Sequence, residues 1–173
     1  MVAKKLMGVI VGILLVLTWV LGFAVQVGAE TLKFKIYGYE IKTESVPVGD
    51  VEGHTLILST RNGFCVLENG EVATQITAMI GDFINQSGST TAYHTLTFAD
   101  GSTIISKALG GIEKTAAGPS ASRGAREIIK GTGRFEGIQG TGTGTSKFLP
   151  IQKGETIPKA IGEVTLTYTL PTK

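Results

Sequence analysis

Residues 130–147 read KGTGRFEGIQGTGTGTSK, with six glycines in the fourteen residues from Gly131 to Gly144. Glycine at this density serves either to cradle a phosphate or to let a sheet bend. A phosphate-gripping loop needs G-x-x-x-x-G-K-[ST]; here Lys147 follows Ser146, and the stretch contains no Gly-Lys-Ser or Gly-Lys-Thr. The dinucleotide fingerprint G-x-G-x-x-G needs a strand before it and a helix after it. Gly131 and Gly133 are followed by a third glycine only at Gly137, one place late, with β-type sequence on both sides. The bend has a direct cause, because a residue without a Cβ permits bulges, sharp coiling and close approach of strands at the corners of a small barrel. Gly140, Gly142 and Gly144 alternate with Thr141, Thr143 and Thr145, leaving one strand face as bare backbone able to lie under a bulky neighbour. The stretch is therefore expected to hold neither an anion cradle nor a helical turn.

The rest of the chain agrees with strands. Short runs rich in Thr, Ile, Val and aromatic residues are separated by glycine, Asn-Gly and Asp-Gly, and no window sustains a 3.6-residue period. Strands are predicted over 32–40, 55–67, 72–84, 91–99, 102–109, 125–134, 140–148 and 160–170. Leu32, Phe34 and Ile36 share one face of the first, and Val164, Leu166, Tyr168 and Leu170 one face of the last. Asn69-Gly70 and Asp100-Gly101 are read as two-residue hairpin turns, Ser87-Gly88-Ser89 as a three-residue loop, and 113–124 as a longer loop. The fold class is all-β, a single antiparallel β-barrel of eight strands, because closure removes the unpaired edges that no helix is present to cover. A two-sheet sandwich is the alternative.

Compartment and partners follow from the N-terminus and the charge balance. Lys4 and Lys5 precede an apolar run from Leu6 to Val25, and Val27-Gly28-Ala29 fits a cleavage site. Residues 1–29 thus read as a signal peptide cleaved after Ala29, or as an uncleaved membrane anchor over 6–25, with the barrel domain occupying 30–173 in a secreted, periplasmic or otherwise extracytoplasmic location. Of the 16 Lys and Arg residues those two lysines lie in the signal, leaving 14 against 14 acidic residues. A neutral domain lacks the electrostatic footprint for nucleic acid or for an anionic membrane surface. Cys65 is the one cysteine, so no internal disulfide and no thiolate cluster can form, and with only His54 and His94 a metal site is not expected. Asn85-Gln86-Ser87 is a glycosylation sequon, relevant only in a eukaryotic secretory pathway.

GTGRFEGIQGTGTGT, with Phe64 and Leu67-Glu68-Asn69-Gly70-Glu71-Val72-Ala73-Thr74 upstream and FADGSTI over 98–104, resembles bacterial relatives of the allene oxide cyclase and dirigent barrels across roughly residues 55–148. The resemblance implies an eight-stranded barrel with an apolar cavity, no metal, no organic cofactor, and often a homotrimer. No catalytic residue is carried over.

One polar constellation is predicted from strand register. The apolar face of 72–84 is taken to carry Val72, Ile76, Ala78 and Ile80, interrupted by Asp82. The turns as read pair Asp82 with His94, and His94 with Lys107. Arg61 falls opposite Ala78 and Ile57 opposite Asp82, which gives an inward row of Asp82, His94 and Lys107 with Arg61 nearby; Glu40 is a further cavity candidate. Two readings stand. Asp82 could orient His94 as a general acid/base or ligand anchor, or the charges could satisfy one another and fix register. Three functions follow: a barrel binding a small hydrophobic ligand, a cofactor-free isomerase or cyclase, or a structural module with a filled barrel.

Overall fold

The structure is a computed structural model and describes residues 28–115 and 118–172; the compact unit is Ala29–Pro171. The expected signal, up to residue 27, lies outside the described residues. Eight strands follow in order: β1 (Glu30–Pro47), β2 (His54–Leu67), β3 (Val72–Ile84), β4 (Ser87–Phe98), β5 (Thr103–Thr115), β6 (Gly118–Thr132), β7 (Gln139–Phe148) and β8 (Lys159–Thr169). Each pairs antiparallel with its neighbour and β8 returns to β1, closing the barrel. Extended Thr-, Val- and Ile-rich segments thereby satisfy their backbone groups without an open edge, as expected. The segment 113–124, expected to be a loop, instead lengthens β5 and β6; Ala and Gly pair there as readily as bulkier residues, as in Gly110↔Gly124 and Glu113↔Ala121.

The glycine-rich stretch turns out to be two strand ends and a plug. One short 3-10 turn, Gly133–Phe135, stands where no helical turn was expected. It carries Phe135 and Ile138 across the base of the barrel, where both are buried. Phe135 lies 4.9 Å from the Phe98 ring and edge-on to Tyr168 at 6.3 Å. Arg134 covers the plug from outside, 4.6 Å above Phe98, with its guanidinium 2.6 Å from Glu71. A Cβ on Gly131 would meet Ile138 at 2.5 Å and Phe135 Cβ at 2.9 Å, so the missing side chain makes room for the plug. The bare face of β7 meets what was expected of it: Gly140 and Gly142 lie under Tyr168 and Leu166 of β8.

Three hairpins correct the predicted registers. Asn69-Gly70 and Asp100-Gly101 belong to three-residue loops in which Gly70 (φ 84°) and Gly101 (φ 80°) take the left-handed position, each bracketed by paired backbone bonds, Leu67 with Glu71 and Phe98 with Ser102. A type I turn followed by such a glycine adds one residue to the two-residue turn assumed, so both registers move by one. Between β3 and β4 the turn is Asn85-Gln86, both with positive φ (51° and 71°), and Ser87-Gly88-Ser89 is already strand.

Those shifts exchange the faces of β3. Ala73, Gln75, Thr77, Met79, Gly81 and Phe83 point inward, whereas Val72, Ile76, Ile80 and Ile84 are exposed on the outer wall. Along β1 and β8 the expected inward faces hold, with Phe34, Val164, Leu166 and Tyr168 buried. The interior has three layers. At the plugged base Phe34, Cys65, Leu67, Leu96, Phe98, Ile104, Ile128 and Leu166 form a continuous apolar core. Toward the other end Met79, Phe83, Ala92 and Ile112 form a smaller cluster backed by Ile57, Ala108 and Phe148. Between them the inward positions are polar.

Candidate functional site

The polar waist collects one or two side chains from most of the strands that line it. β3 contributes Gln75 and Thr77, β4 His94, β5 Ser106, β2 Ser59 and Arg61, β1 Glu40 and β6 Arg126. Strand alternation puts them inside: His94 sits between buried Ala92 and Leu96, and Arg126 shares its face with Gly124 and buried Ile128. Beside this layer lies a cavity of about 130 Å³ bordered by Arg61, Arg126, His94, Met79, Ile112 and Phe148, among others. The space exists partly because Gly110, Gly124 and Gly144 present no side chain to it.

His94 is fixed by its neighbours. Thr77 Oγ1 is 3.0 Å and Gln75 Nε2 3.3 Å from Nδ1, and Gln75 Nε2 also donates to Thr77 Oγ1 at 3.0 Å. With Gln75 and Thr77 donating to Nδ1, the ring proton belongs on Nε2. Burial, reinforced by the charges of Arg126 and Arg61, holds the imidazole well below its ordinary protonation range. His94 is therefore a neutral donor and acceptor.

The two arginines differ in their company. Glu40 Oε2 stands 3.5 Å from Arg61 Nε, an electrostatic pairing without hydrogen-bond geometry, and Phe148 offers its ring at 5.0 Å. Burial lowers the Arg61 pKa, and Glu40 opposes the shift. Arg126 has no such carboxylate; burial brings its pKa down to about 10, so it stays charged at any neutral pH. Its Nη1 is completely buried without a hydrogen-bond partner, although the rest of the guanidinium borders the cavity and keeps some accessibility. Arg61 Nε and Ser59 Oγ are unsatisfied in the same way.

The predicted row is thus split. His94, Arg61 and Glu40 do face the interior. Asp82 does not: it pairs with Leu56 and Ser89, its carboxylate is largely exposed, and it bonds His54 Nε2 at 2.8 Å on the outside. His54 Nδ1 holds Asp50 Oδ1 at 2.5 Å, so this histidine is clamped between two carboxylates. Lys107 also leaves the row, lying across from Tyr93 on the face opposite buried Ser106. His94 stands opposite Thr77 and Ser106 instead of Asp82 and Lys107, because each turn was misjudged as described above. Arg126, Gln75, Thr77, Ser106 and Ser59 were missed. For Arg126 a signal was present in Gly124-x-Arg126-x-Ile128, a charge set on the glycine and isoleucine face of a strand.

No family model matches the chain, and a search of curated proteins finds no match. Among solved structures it is similar to the pterocarpan synthase dirigent protein GePTS1, with a TM-score of 0.51 and 15% identity over 84% of this chain and 88% of that one. It is also aligned with the pterocarpan synthase dirigent protein PsPTS1, at a TM-score of 0.45 and 18% identity over 84% of this chain and 97% of that one. The barrel is dirigent-like in fold.

Proposed function

We propose that this chain is an exported binding barrel whose lumen takes up a small hydrophobic ligand and orients it by the polar waist. The observation that carries the reading is the cavity of about 130 Å³ itself, roofed by Met79, Ile112 and Phe148 and floored by hydrogen-bonding side chains. An apolar space with a few convergent polar groups is the usual form of a small-molecule site. A barrel filled by its own side chains would leave no such space, which favours binding over a purely structural role. The test is native purification followed by extraction and mass spectrometry of what accompanies the protein, with binding of small ring compounds measured by calorimetry. A lumen that excludes every ring-sized probe would end the proposal.

Acid–base turnover has less support. Asp82 is not available to orient His94, and an imidazole held neutral so far below its ordinary range is a weak base. If the barrel were an isomerase or cyclase, His94→Ala would abolish turnover while leaving affinity largely intact. A parallel loss of both would mark plain binding.

Self-association is proposed from the outer wall. Leu58, Ile80 and Thr91 stand side by side across β2, β3 and β4, flanked by exposed Leu56, Ile76, Ile84 and Tyr93. A contiguous apolar wall on three paired strands is what a symmetric interface between copies buries. A homotrimer is the assembly we propose.

A further inference from the structure

The waist carries a charge that no carboxylate among the described residues neutralises. Arg61 has Glu40 at 3.5 Å. Glu40 is also the only carboxylate among the described residues bordering the cavity, so Arg126 has none. Arginine does not shed its proton to escape burial, and an unpaired buried charge is strongly unfavourable. With His94 neutral, Arg61, Arg126 and Glu40 leave one net positive charge in the waist, while Arg123 and the Glu155-paired Lys159 border the cavity from exposed positions. Within the waist the count matches a single carboxylate. Arg126 Nη1 is buried and unsatisfied, whereas Nε and Nη2 lie beside the bare Gly144 at the cavity wall, so this edge of the guanidinium is the one able to take two parallel hydrogen bonds from an incoming carboxylate. His94 Nε2–H stands in the same layer as a neutral second donor.

The size of the space restricts the rest of the molecule. A dry apolar cavity of about 150 Å³ holds one benzene ring, and this one is about 130 Å³. Its walls toward the smaller cluster are Met79, Ala92, Ala108, Ile112 and Phe148, which favour a hydrocarbon body over a hydrated polyanion. From the unpaired guanidinium and these walls we infer that the lumen ligand is a small monocarboxylic acid with a body about one six-membered ring in size, its carboxylate on Arg126. The inference rests on the lumen-binding reading and narrows it to a chemical class.

The experiment compares two probes of nearly the same shape, benzoate and benzamide, by calorimetry on the full purified chain, together with the Arg126 side-chain NMR signal. Benzoate is expected to bind at least about tenfold more tightly than benzamide, the difference that a charge-assisted hydrogen bond supplies, and to shift the Arg126 Nε–H resonance. Arg126→Met should bring benzoate down to the benzamide level, and Arg126→Lys should restore part of the preference. Equal binding of both probes by the wild type overturns the inference while leaving the lumen reading intact; it would mean a guanidinium satisfied by trapped water. Binding of neither overturns the lumen reading for ligands of this size. A benzoate preference that leaves the Arg126 resonance unmoved, or survives Arg126→Met, places the anion elsewhere and also overturns it. The wild-type probes and resonance keep the test decisive if Arg126→Met fails to fold.

Discussion

Replacing Gly142 by alanine tests the feature that closes the barrel. A Cβ built at Gly142 would fall on the backbone oxygen of Thr165, 2.7 Å from Leu166 Cδ2 and 3.0 Å from Leu166 Cα. Two of these three atoms are backbone of a paired strand, so rotamer change cannot relieve the clash and β7 must move from β8. Overpacking of this kind costs about 1–3 kcal/mol. Against it stands a gain of about 0.4–1 kcal/mol from the lower chain entropy of unfolded alanine. The strand clash should win, leaving a net loss of about 1.3 kcal/mol at the midpoints and at most about 2.6 kcal/mol. At about 3–4 °C per kcal/mol for a domain of this size, Tm should drop by about 4–5 °C at the midpoints and at most about 10 °C. Thr143→Ala is the control, because Thr143 is exposed on the opposite face and loses only strand propensity. Calorimetric melting of both variants decides the matter. If Gly142→Ala melts at or above the wild-type temperature, or Thr143→Ala loses as much, the bare face of β7 is not what lets the strands approach.

The two histidines should separate in an NMR titration. The His54 pKa is raised by the hydrogen bonds it donates to Asp82 and Asp50, so its pairing stabilises the fold fully below the ordinary histidine pKa of about 6.5 and is lost as pH rises through the raised value; Asp82→Asn should lower that midpoint. His94 is held well below the ordinary value by burial, so its titration should fall at lower pH than that of His54, and it favours the folded state above about 6.5, an advantage that fades as pH falls. Cys65, buried and with a thiol pushed up to about 12, should ignore a thiol reagent in native protein and react only at the rate of unfolding. Light scattering should report a trimer for the wild type and monomers for an Ile80→Lys variant, and a monomeric wild type would exclude the proposed assembly.

Closure was legible because it depends on local pattern. Val164, Leu166 and Tyr168 alternate with polar residues, and the glycines of β7 alternate with threonines, so faces there could be assigned from period alone. The waist was not legible, because it depends on long-range register, and one miscounted turn residue moves every pairing beyond it. Asp100-Gly101 and Asn69-Gly70 carry the same letters in a two-residue turn and in a three-residue turn with a left-handed glycine. Only the surrounding sheet twist selects between them. Glu40 still fell on the lumen because the face of β1 was right, and Arg61 because the one-residue error in the β2–β3 register and the reversed face of β3 cancel.

The misassignment of β3 has one physical origin that also bears on function. Its apolar residues, Val72, Ile76, Ile80 and Ile84, form the face that a hydrophobic count would bury, yet they look outward while Gln75 and Thr77 look in. In a monomeric barrel that inversion buries Ala73, Met79 and Phe83 but exposes four apolar side chains that burial would reward and desolvates Gln75 and Thr77, which prefer water. Both costs are offset if each face has a partner. Covering the outer wall by another copy recovers the apolar burial, and a ligand in the lumen gives the inner polar groups something to bind. The inversion of β3 thus joins the proposed assembly to the proposed lumen site: one strand lies between them, with its even-numbered residues on the wall proposed for the interface and its odd-numbered ones on the lumen proposed for the ligand.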